Sequence, residues 1–413
     1  MYHKTILPNG IRVVTETIPY VRSVSLGFWF RTGSRNETVE NNGISHLIEH
    51  LMFKGTTNRS AREIAELIDA AGGQLNAFTG KERTCYYARV LDEQLPIAAE
   101  LLADMFLNSV FDPQETEKEK SVVIEEIRMC EDSPDELVHD LFATAVLGSH
   151  PLGLSVLGSE ENIRAMKRED ILEFIANHYV PGNLVVAAAG NVTHEQVVAQ
   201  VEKYFSSLPS NPLTTNSMPL DKPGKVALKY KEIEQVHLCI GGLGVPRHDE
   251  DKFAVYVLDV ILGGGMSSRL FQQLREERGL VYSTYSYHAC FQDAGVFGVY
   301  AGTGPDNVRQ VVHIIQDEFD RLVQEGVTPE ELHRGKEQLK GSLMLGLEST
   351  AARMSRIAKS ELFYEAILTP DELAAKIDAV TVEMVQRVAR RLLSAPLTAA
   401  AIGPTEEVLW QAG

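Results

Sequence analysis

Two histidines and a glutamate that lie within five residues of one another have the types and spacing for metal chemistry. The segment runs His46-x-x-Glu49-His50, and helical residues four apart lie on one face. Both imidazoles could then bind one Zn²⁺, and Glu49 beside them could act as a general base in hydrolysis. Apolar residues occupy the opposite side of the expected helix, which favours this interpretation over a partly exposed face of unrelated polar residues.

A hydrolytic zinc site takes a third protein ligand, and the acidic segment after Pro113 can supply one. Asp112 and Pro113 have the residue types of an N-cap and a first helical position, so we predict a helix from there. Glu119 and Glu126 follow on this helix and fall within about 20° of each other on the helical wheel. From the residues alone, a solvated row of charges is the favoured explanation of their common face.

The His-x-x-Glu-His order, followed by Glu119 and Glu126, resembles the inverzincin pattern of the pitrilysin/insulinase metallopeptidases, above all a bacterial branch that is similar to the processing-peptidase β subunit. The resemblance implies that His46, His50 and Glu126 bind one zinc ion per chain. It also implies that Glu49 is the general base and that Glu119 orients a ligand from behind. Further matching stretches extend the resemblance over essentially the whole chain: residues 75–79, 150–153, 179–185 and 274–282.

Two more sets of residues are candidates for binding substrate. The resemblance implies that Arg275 and Tyr282, in the second half, donate hydrogen bonds to a peptide carbonyl as it becomes an oxyanion. The alternative is an ordinary surface arginine and a strand aromatic. Asn76, Ala77 and Phe78 are placed by the resemblance on a strand with a free edge, which can bind an extended peptide through main-chain hydrogen bonds. The alternative for them is a plain half-buried strand.

The composition is that of a globular protein with more than one domain. The chain has 413 residues, of which 44% are hydrophobic and 23% charged, and this length exceeds what a single core usually organises. No apolar run is long enough to span a bilayer, and the start of the chain lacks a signal core, so we expect a cytoplasmic protein without a membrane partner. The formal net charge of −18 argues against nucleic acid and leaves room for basic peptides.

A proline-rich segment divides the chain into two halves of similar size. We predict a zinc-binding peptidase domain at 1–206, a linker at 207–225, and a homologous domain at 226–413 that binds no metal but contributes substrate contacts. Alternating strand-like and helical segments predict an α+β fold with antiparallel sheets flanked by helices. The resemblance adds that the two domains face each other across the linker.

The second half has the pattern of a copy that lacks the metal site. When residues 53–56 are aligned with residues 262–265, His46, Glu49 and His50 fall opposite Val255, Leu258 and Asp259. These three residues cannot replace the two histidines and the glutamate of a zinc site. The glycine run 263–265 lacks the spacing of a phosphate-binding loop, so we predict a tight turn before a helix.

These observations predict a zinc metalloendopeptidase that hydrolyses peptides or unfolded segments, with Glu49 as the base. The length of the chain resembles family members that pair two subunits, so we expect a homodimer, with a separate partner subunit left open. One alternative is a non-catalytic core or scaffold subunit of the same fold, although such relatives usually lose ligands. The other is a zinc enzyme that acts on small amides or esters.

Overall fold

The computed structural model describes residues 2–210, 220 and 226–405, which form two compact units of similar size. Among the described residues, the first unit comprises 2–128, 155–210 and 346–368, and the second comprises 129–154, 220, 226–345 and 369–405. Each unit has one sheet flanked by helices, so the prediction of an α+β fold with two domains is confirmed.

The strands and helices are numbered in chain order. The strands are β1 Tyr2–Ile6, β2 Arg12–Thr17, β3 Ser23–Phe30, β4 Gln74–Thr79, β5 Thr84–Leu91, β6 Leu184–Gly190, β7 Val226–Tyr230, β8 Val236–Leu243, β9 Val281–Cys290, β10 Gly295–Thr303 and β11 Thr398–Gly403. The helices are α1 Ile44–Leu51, α2 Ala61–Ala70, α3 Leu95–Asn108, α4 Pro113–Asp132, α5 Pro134–Leu147, α6 Glu160–Ala165, α7 Arg168–His178, α8 His194–Phe205, α9 Lys252–Leu262, α10 Val308–Gln324, α11 Pro329–Leu345, α12 Thr350–Phe363, α13 Pro370–Asp378 and α14 Val382–Leu393. A short π-helix spans Phe271–Glu276.

The sheet of the first unit has the strand order β1-β2-β6-β3-β5-β4. Only the β2/β6 pair is parallel, and β4 forms one edge of the sheet. The central strands β3 and β6 are buried on both faces, because helices cover the sheet from both sides. Phe28 and Phe30 of β3 point into the larger core with α1 and α3, whereas Trp29 points into a second core with α12.

The sheet of the second unit repeats this topology with one strand fewer. Its order is β7-β11-β8-β10-β9, with β7/β11 parallel and the other pairs antiparallel. The five strands correspond one for one to β2-β6-β3-β5-β4 of the first unit. Helix α9 packs against the edge strand β9 just as α1 packs against β4. The shared topology is consistent with a duplicated architecture.

Each unit includes one helix from the other half of the chain. Helix α5 packs on β8 and β11 of the second unit, and α12 packs on β2, β3 and β6 of the first. Glu16 of β2 accepts hydrogen bonds from Arg353 (2.6 Å) and Arg356 (3.4 Å) of α12. The division into 1–206 and 226–413 stays a prediction, and most of the predicted linker, residues 211–219 and 221–225, lies outside the described residues.

No helix within 2–210 or 226–405 is both long and apolar enough to cross a membrane. All four cysteines lie in the described parts of the chain and are free thiols.

Candidate metal centre

Helix α1, which carries the two histidines, is fixed in place at its N-terminus. The chain enters the helix through Gly43 at φ +100°, a conformation that favours glycine. The buried carboxylate of Glu37 accepts hydrogen bonds from the backbone N–H groups of Gly43 (2.9 Å) and Ser45 (2.8 Å). A carboxylate in this position satisfies amide groups that the first helical turn leaves unpaired and interacts favourably with the helix dipole. Burial is the main cause that raises the pKa of Glu37.

Three side chains from α1 and α4 converge on one point. The Nε2 atoms of His46 and of His50 each lie 3.5 Å from Oε2 of Glu126. All three candidate ligand atoms lie within 4.8 Å of one another. Ligand atoms on a tetrahedral zinc ion with bonds of about 2.0–2.1 Å are separated by about 3.4 Å, which is close to the spacing found here. Two imidazoles and one carboxylate are also a ligand set that zinc accepts, so the residues fit a zinc ion.

His46 is held in the neutral form that a metal requires. Burial, and after it the neighbouring His50, lowers the pKa of His46 from 6.5 to about 4. A neutral imidazole keeps a nitrogen lone pair for a metal at neutral pH. The other ring nitrogen, Nδ1, is buried and has no hydrogen-bond partner among the described residues.

Glu119 lies behind His50 on the same face of α4 as Glu126. Its Oε2 atom accepts from Nδ1 of His50 at 3.2 Å, and its Oε1 atom lies 2.7 Å from Nζ of Lys54. The structure thus brings Glu119 into the position that the sequence predicted, behind one of the histidines. Lys54 was not predicted, although its spacing of four residues from His50 was a signal that the two side chains could lie near each other.

The side chain of Glu49, on α1, lies beside the last residue of the edge strand β4. Burial is the main cause that raises its pKa, while hydrogen bonds from the side chain and the backbone N–H of Thr79, the last residue of β4, oppose this effect. Its Oε2 atom is buried and has no hydrogen-bond partner within the described parts of the chain. A carboxylate with a raised pKa is a stronger base, which suits general-base chemistry. Thr79 was a second residue that the sequence did not single out.

The outer edge of β4 presents backbone groups away from β5. The adjoining turn closes with a hydrogen bond from Gly80 N–H to the Arg83 carbonyl (2.8 Å), and antiparallel pairing then alternates along the strand. By this alternation Leu75 and Ala77 direct their N–H and C=O groups towards the free edge. The N–H of Ala77 donates to the side chain of its neighbour Asn76 at 2.8 Å.

Phe78 is the third residue of the predicted substrate segment. Its side chain packs against the second core, which contains residues of α12. Its ring packs edge to face against Trp29, with 5.4 Å between the ring centroids. The structure therefore places Asn76 and Ala77 at the free edge and Phe78 in an aromatic contact beneath it.

Arg275 and Tyr282 lie together in the second unit. The guanidinium carbon of Arg275 is 5.5 Å from the ring centroid of Tyr282 and 5.0 Å from that of Phe271, within the range of cation–π interactions. The side chain of Tyr282 is 78% exposed, so its hydroxyl is accessible.

At the positions of α9 that match the zinc ligands, the described part of the second unit has other residue types. On α9, Val255 and Leu258 are buried in the core, and Asp259 accepts from Ser286 and faces His288 at 3.0 Å. Within the described ranges, one group of three or more His, Cys, Asp or Glu side chains could hold a metal, and it consists of His46, His50 and Glu126.

Comparisons with known proteins agree with this fold. Residues 12–160 match the model of the insulinase family (peptidase family M16), and residues 165–339 match the M16 inactive domain. The chain is 46% identical to a zinc protease of Bacillus subtilis, over 96% of this chain and 97% of that protein. It is also 46% identical to a zinc protease of Streptomyces coelicolor, over 98% of this chain and 90% of the relative. A crystal structure of a Pseudomonas fluorescens protein, described as a peptidase M16 inactive domain, has the same fold, with a TM-score of 0.90, 21% identity and coverage of 98% of both chains.

The fold and these relatives place the chain in the class of zinc proteases. Within that class, the chain belongs to the insulinase family, peptidase family M16.

Proposed function

We propose that this chain is a zinc-dependent endopeptidase with Glu49 as its general base. The observation that carries the proposal is the convergence of His46, His50 and Glu126 in the first unit, with the carboxylate of Glu49 at the end of a free strand edge. A metal site and a peptide-binding edge are the two parts that metal-assisted peptide hydrolysis needs.

Each side chain of the site has a separate role in the proposed hydrolysis. Zinc, when bound, supplies Lewis acidity that polarises a carbonyl and makes water a better nucleophile at neutral pH. His46, His50 and Glu126 would hold the ion. Glu49 accepts the proton of the attacking water and later delivers a proton to the leaving amine. Glu119 holds the imidazole of His50 in a fixed orientation.

The edge of β4 supports a peptide as the substrate. An extended chain can pair with the outward backbone groups of Leu75 and the outward carbonyl of Ala77, and it can take over the Ala77 N–H that now donates to Asn76. Pairing along this edge leads the chain towards Glu49. Beside this edge lies an open cavity of about 640 Å³, which could accept a substrate side chain. Its lining is mixed, with apolar side chains such as Phe53 and Ile64 beside polar ones such as Gln74 and Asn76. We retain Arg275 and Tyr282 as proposed donors to the substrate carbonyl, on the strength of the family resemblance.

We further propose one zinc ion per chain, a homodimer, a cytoplasmic location, and peptide substrates that include basic ones. The support is the family resemblance and the net charge of −18. A scaffold role is the weaker candidate because every predicted ligand is present and the three converge. Action on small amides alone is disfavoured by the free edge of the six-residue strand β4, which can bind an extended chain.

The test compares the wild type with Glu49→Gln and, as a control, Glu125→Gln. Glu125 neighbours the ligand Glu126 but is 67% exposed and pairs with Arg128. Cleavage of a fluorogenic peptide library and of a small amide is measured, and bound zinc is quantified in all three proteins. We expect Glu49→Gln to keep its zinc and to lose at least about 100-fold in peptide cleavage, with Glu125→Gln unchanged. Equal cleavage by the wild type and Glu49→Gln would refute the role of Glu49, and a zinc-loaded wild type that cleaves neither substrate would favour the scaffold function.

A further inference from the structure

Three side chains form a hydrogen-bonded row that begins at the surface and ends at the metal centre. Nζ of Lys54 lies 2.7 Å from Oε1 of Glu119, and Oε2 of the same carboxylate accepts from Nδ1 of His50 at 3.2 Å. The side chain of Glu119 is only 7% exposed, so these two groups are its principal partners. One carboxylate oxygen serves the lysine, and the other serves the imidazole.

The backbone around Lys54 is held in a defined conformation. Its N–H donates to the carbonyl of Leu51, the last residue of α1, at 3.0 Å. The next residue, Gly55, has φ +119°. The loop that follows is fastened by the buried carboxylate of Asp104, which accepts from Thr56 at 2.8 Å. The ammonium group is therefore carried by an ordered segment, which lowers the entropy cost of its contact with Glu119.

The two histidines differ in what lies behind them. Nδ1 of His50 donates to Glu119, whereas Nδ1 of His46 has no hydrogen-bond partner among the described residues. A metal-binding histidine is usually oriented by a hydrogen bond from its other ring nitrogen. The protein groups that orient the histidines therefore act on His50, and any group that fixes Glu119 affects the preorganisation of the whole centre.

We propose that Lys54 is a positioning residue for the metal centre, which acts through Glu119 on the imidazole of His50. Glu119 has three rotatable side-chain bonds, and a charged hydrogen bond to its outer oxygen restrains them so that the inner oxygen faces His50. Without Lys54, the nearly buried carboxylate loses its cationic partner, which favours rotation away from His50 towards water. This inference rests on the zinc binding that the proposed function requires.

The experiment measures the zinc dissociation constant of the full chain by competition with a chromophoric chelator. Lys54→Met is expected to weaken zinc binding about tenfold, the lower end of the effect seen when a group behind a ligand is removed. Lys54→Arg, which can still donate to the carboxylate, is expected to stay within about threefold of the wild type. The matched control is Lys118→Met on α4, because the side chain of Lys118 is 66% exposed and pairs with Glu115, so its loss should leave zinc affinity unchanged.

A double-mutant cycle with Glu119→Gln separates positioning from a general structural effect. If Lys54 acts through Glu119, adding Lys54→Met to Glu119→Gln causes no further loss of affinity. Thermal unfolding of the metal-free proteins verifies that each variant folds, and Lys54→Ala, which also has no donor, replaces Lys54→Met if the methionine variant does not fold.

Two results overturn the inference alone: unchanged zinc affinity in the folded Lys54→Met variant or its alanine replacement, or a full additional loss when Lys54→Met is added to Glu119→Gln. A wild-type chain that binds no zinc overturns both this inference and the proposed function, so the two failures are distinguishable.

Discussion

The indole nitrogen of Trp29 donates a hydrogen bond to the sulfur of Met354 at 3.0 Å, although 325 residues separate them in the chain. Trp29 lies on the central strand β3, and Met354 lies on α12, a helix from the second half of the sequence. Both side chains are buried. This contact is part of the apolar surface that closes one face of the first sheet.

Met354→Ala should lower the free energy of unfolding by about 2–5 kcal/mol, because it removes buried volume against Trp29 and leaves a cavity. Urea unfolding, followed by the fluorescence of the tryptophans, measures the loss. Met344→Ala is the control, since Met344 is partly exposed and its truncation should cost less than about 1 kcal/mol. Equal losses in the two variants would mean that α12 does not pack as described.

Arg269→Met should destabilise the second unit by about 3 kcal/mol. Arg269 donates to both oxygens of Glu331 (2.7 and 2.9 Å) and lies 3.8 Å from the carboxylate of Glu318, which is 3% exposed. Removing the cation leaves carboxylates with less compensation away from water. Arg62→Met is the comparison, because Arg62 pairs with Glu66 at the surface and its loss should change stability by no more than about 0.5 kcal/mol. Unfolding curves that shift equally would contradict the importance of the buried network.

The metal-free protein should lose stability as the pH falls from about 6.5 to about 4. Burial lowers the pKa of His46 from 6.5 to about 4, so within this window the unfolded chain binds more protons than the folded one. The free energy of unfolding should fall by up to about 3 kcal/mol across the window and should not depend on His46 above it. Denaturant unfolding at several pH values tests this, with His46→Gln as the reference. The dependence should be shallower in the variant, and identical slopes would refute the assignment to His46.

Two glycine substitutions should have opposite effects. A Cβ atom on Gly263 would lie 2.1 Å from the backbone nitrogen of Ser286, whereas one on Gly341 in α11 meets nothing within 4 Å. Gly263→Ala should therefore cost about 1–3 kcal/mol, and Gly341→Ala should gain about 0.5–1 kcal/mol. Thermal melts of both variants measure the difference. A neutral Gly263→Ala would show that close packing is not the reason for the glycine run.

The local parts of the fold and site were predictable from short-range patterns. The proline at 113 begins α4, and Asp112 accepts from the N–H groups of Gln114 (2.8 Å) and Glu115 (3.1 Å), as its residue type indicates. Helical periodicity placed Glu119 and Glu126 on one face, and the structure brings both to the histidines. Their roles in zinc binding stay predictions until the metal is measured.

The order of the chain did not predict that α5 packs in the second unit and α12 in the first. Both helices have ordinary amphipathic patterns, which show that a face must be buried but not which sheet will bury it. The choice depends on complementary shapes and charges that meet only in the folded chain, such as Glu16 of β2 with Arg353 of α12. Lys54 was missed for a related reason, since its partner Glu119 lies on a helix far along the sequence.

The placement of α12 has a consequence for synthesis of the protein. When the ribosome has made residues 1–206, all six strands of the first sheet have been synthesised. Helix α12, which covers Trp29, has not yet been translated. That face of the sheet stays open until Phe363 has left the exit tunnel, so the metal-bearing unit is completed late, when most of the chain has been made. A nascent chain that exposes this apolar face during synthesis is prone to aggregate, and we expect it to depend on chaperones that bind at the ribosome.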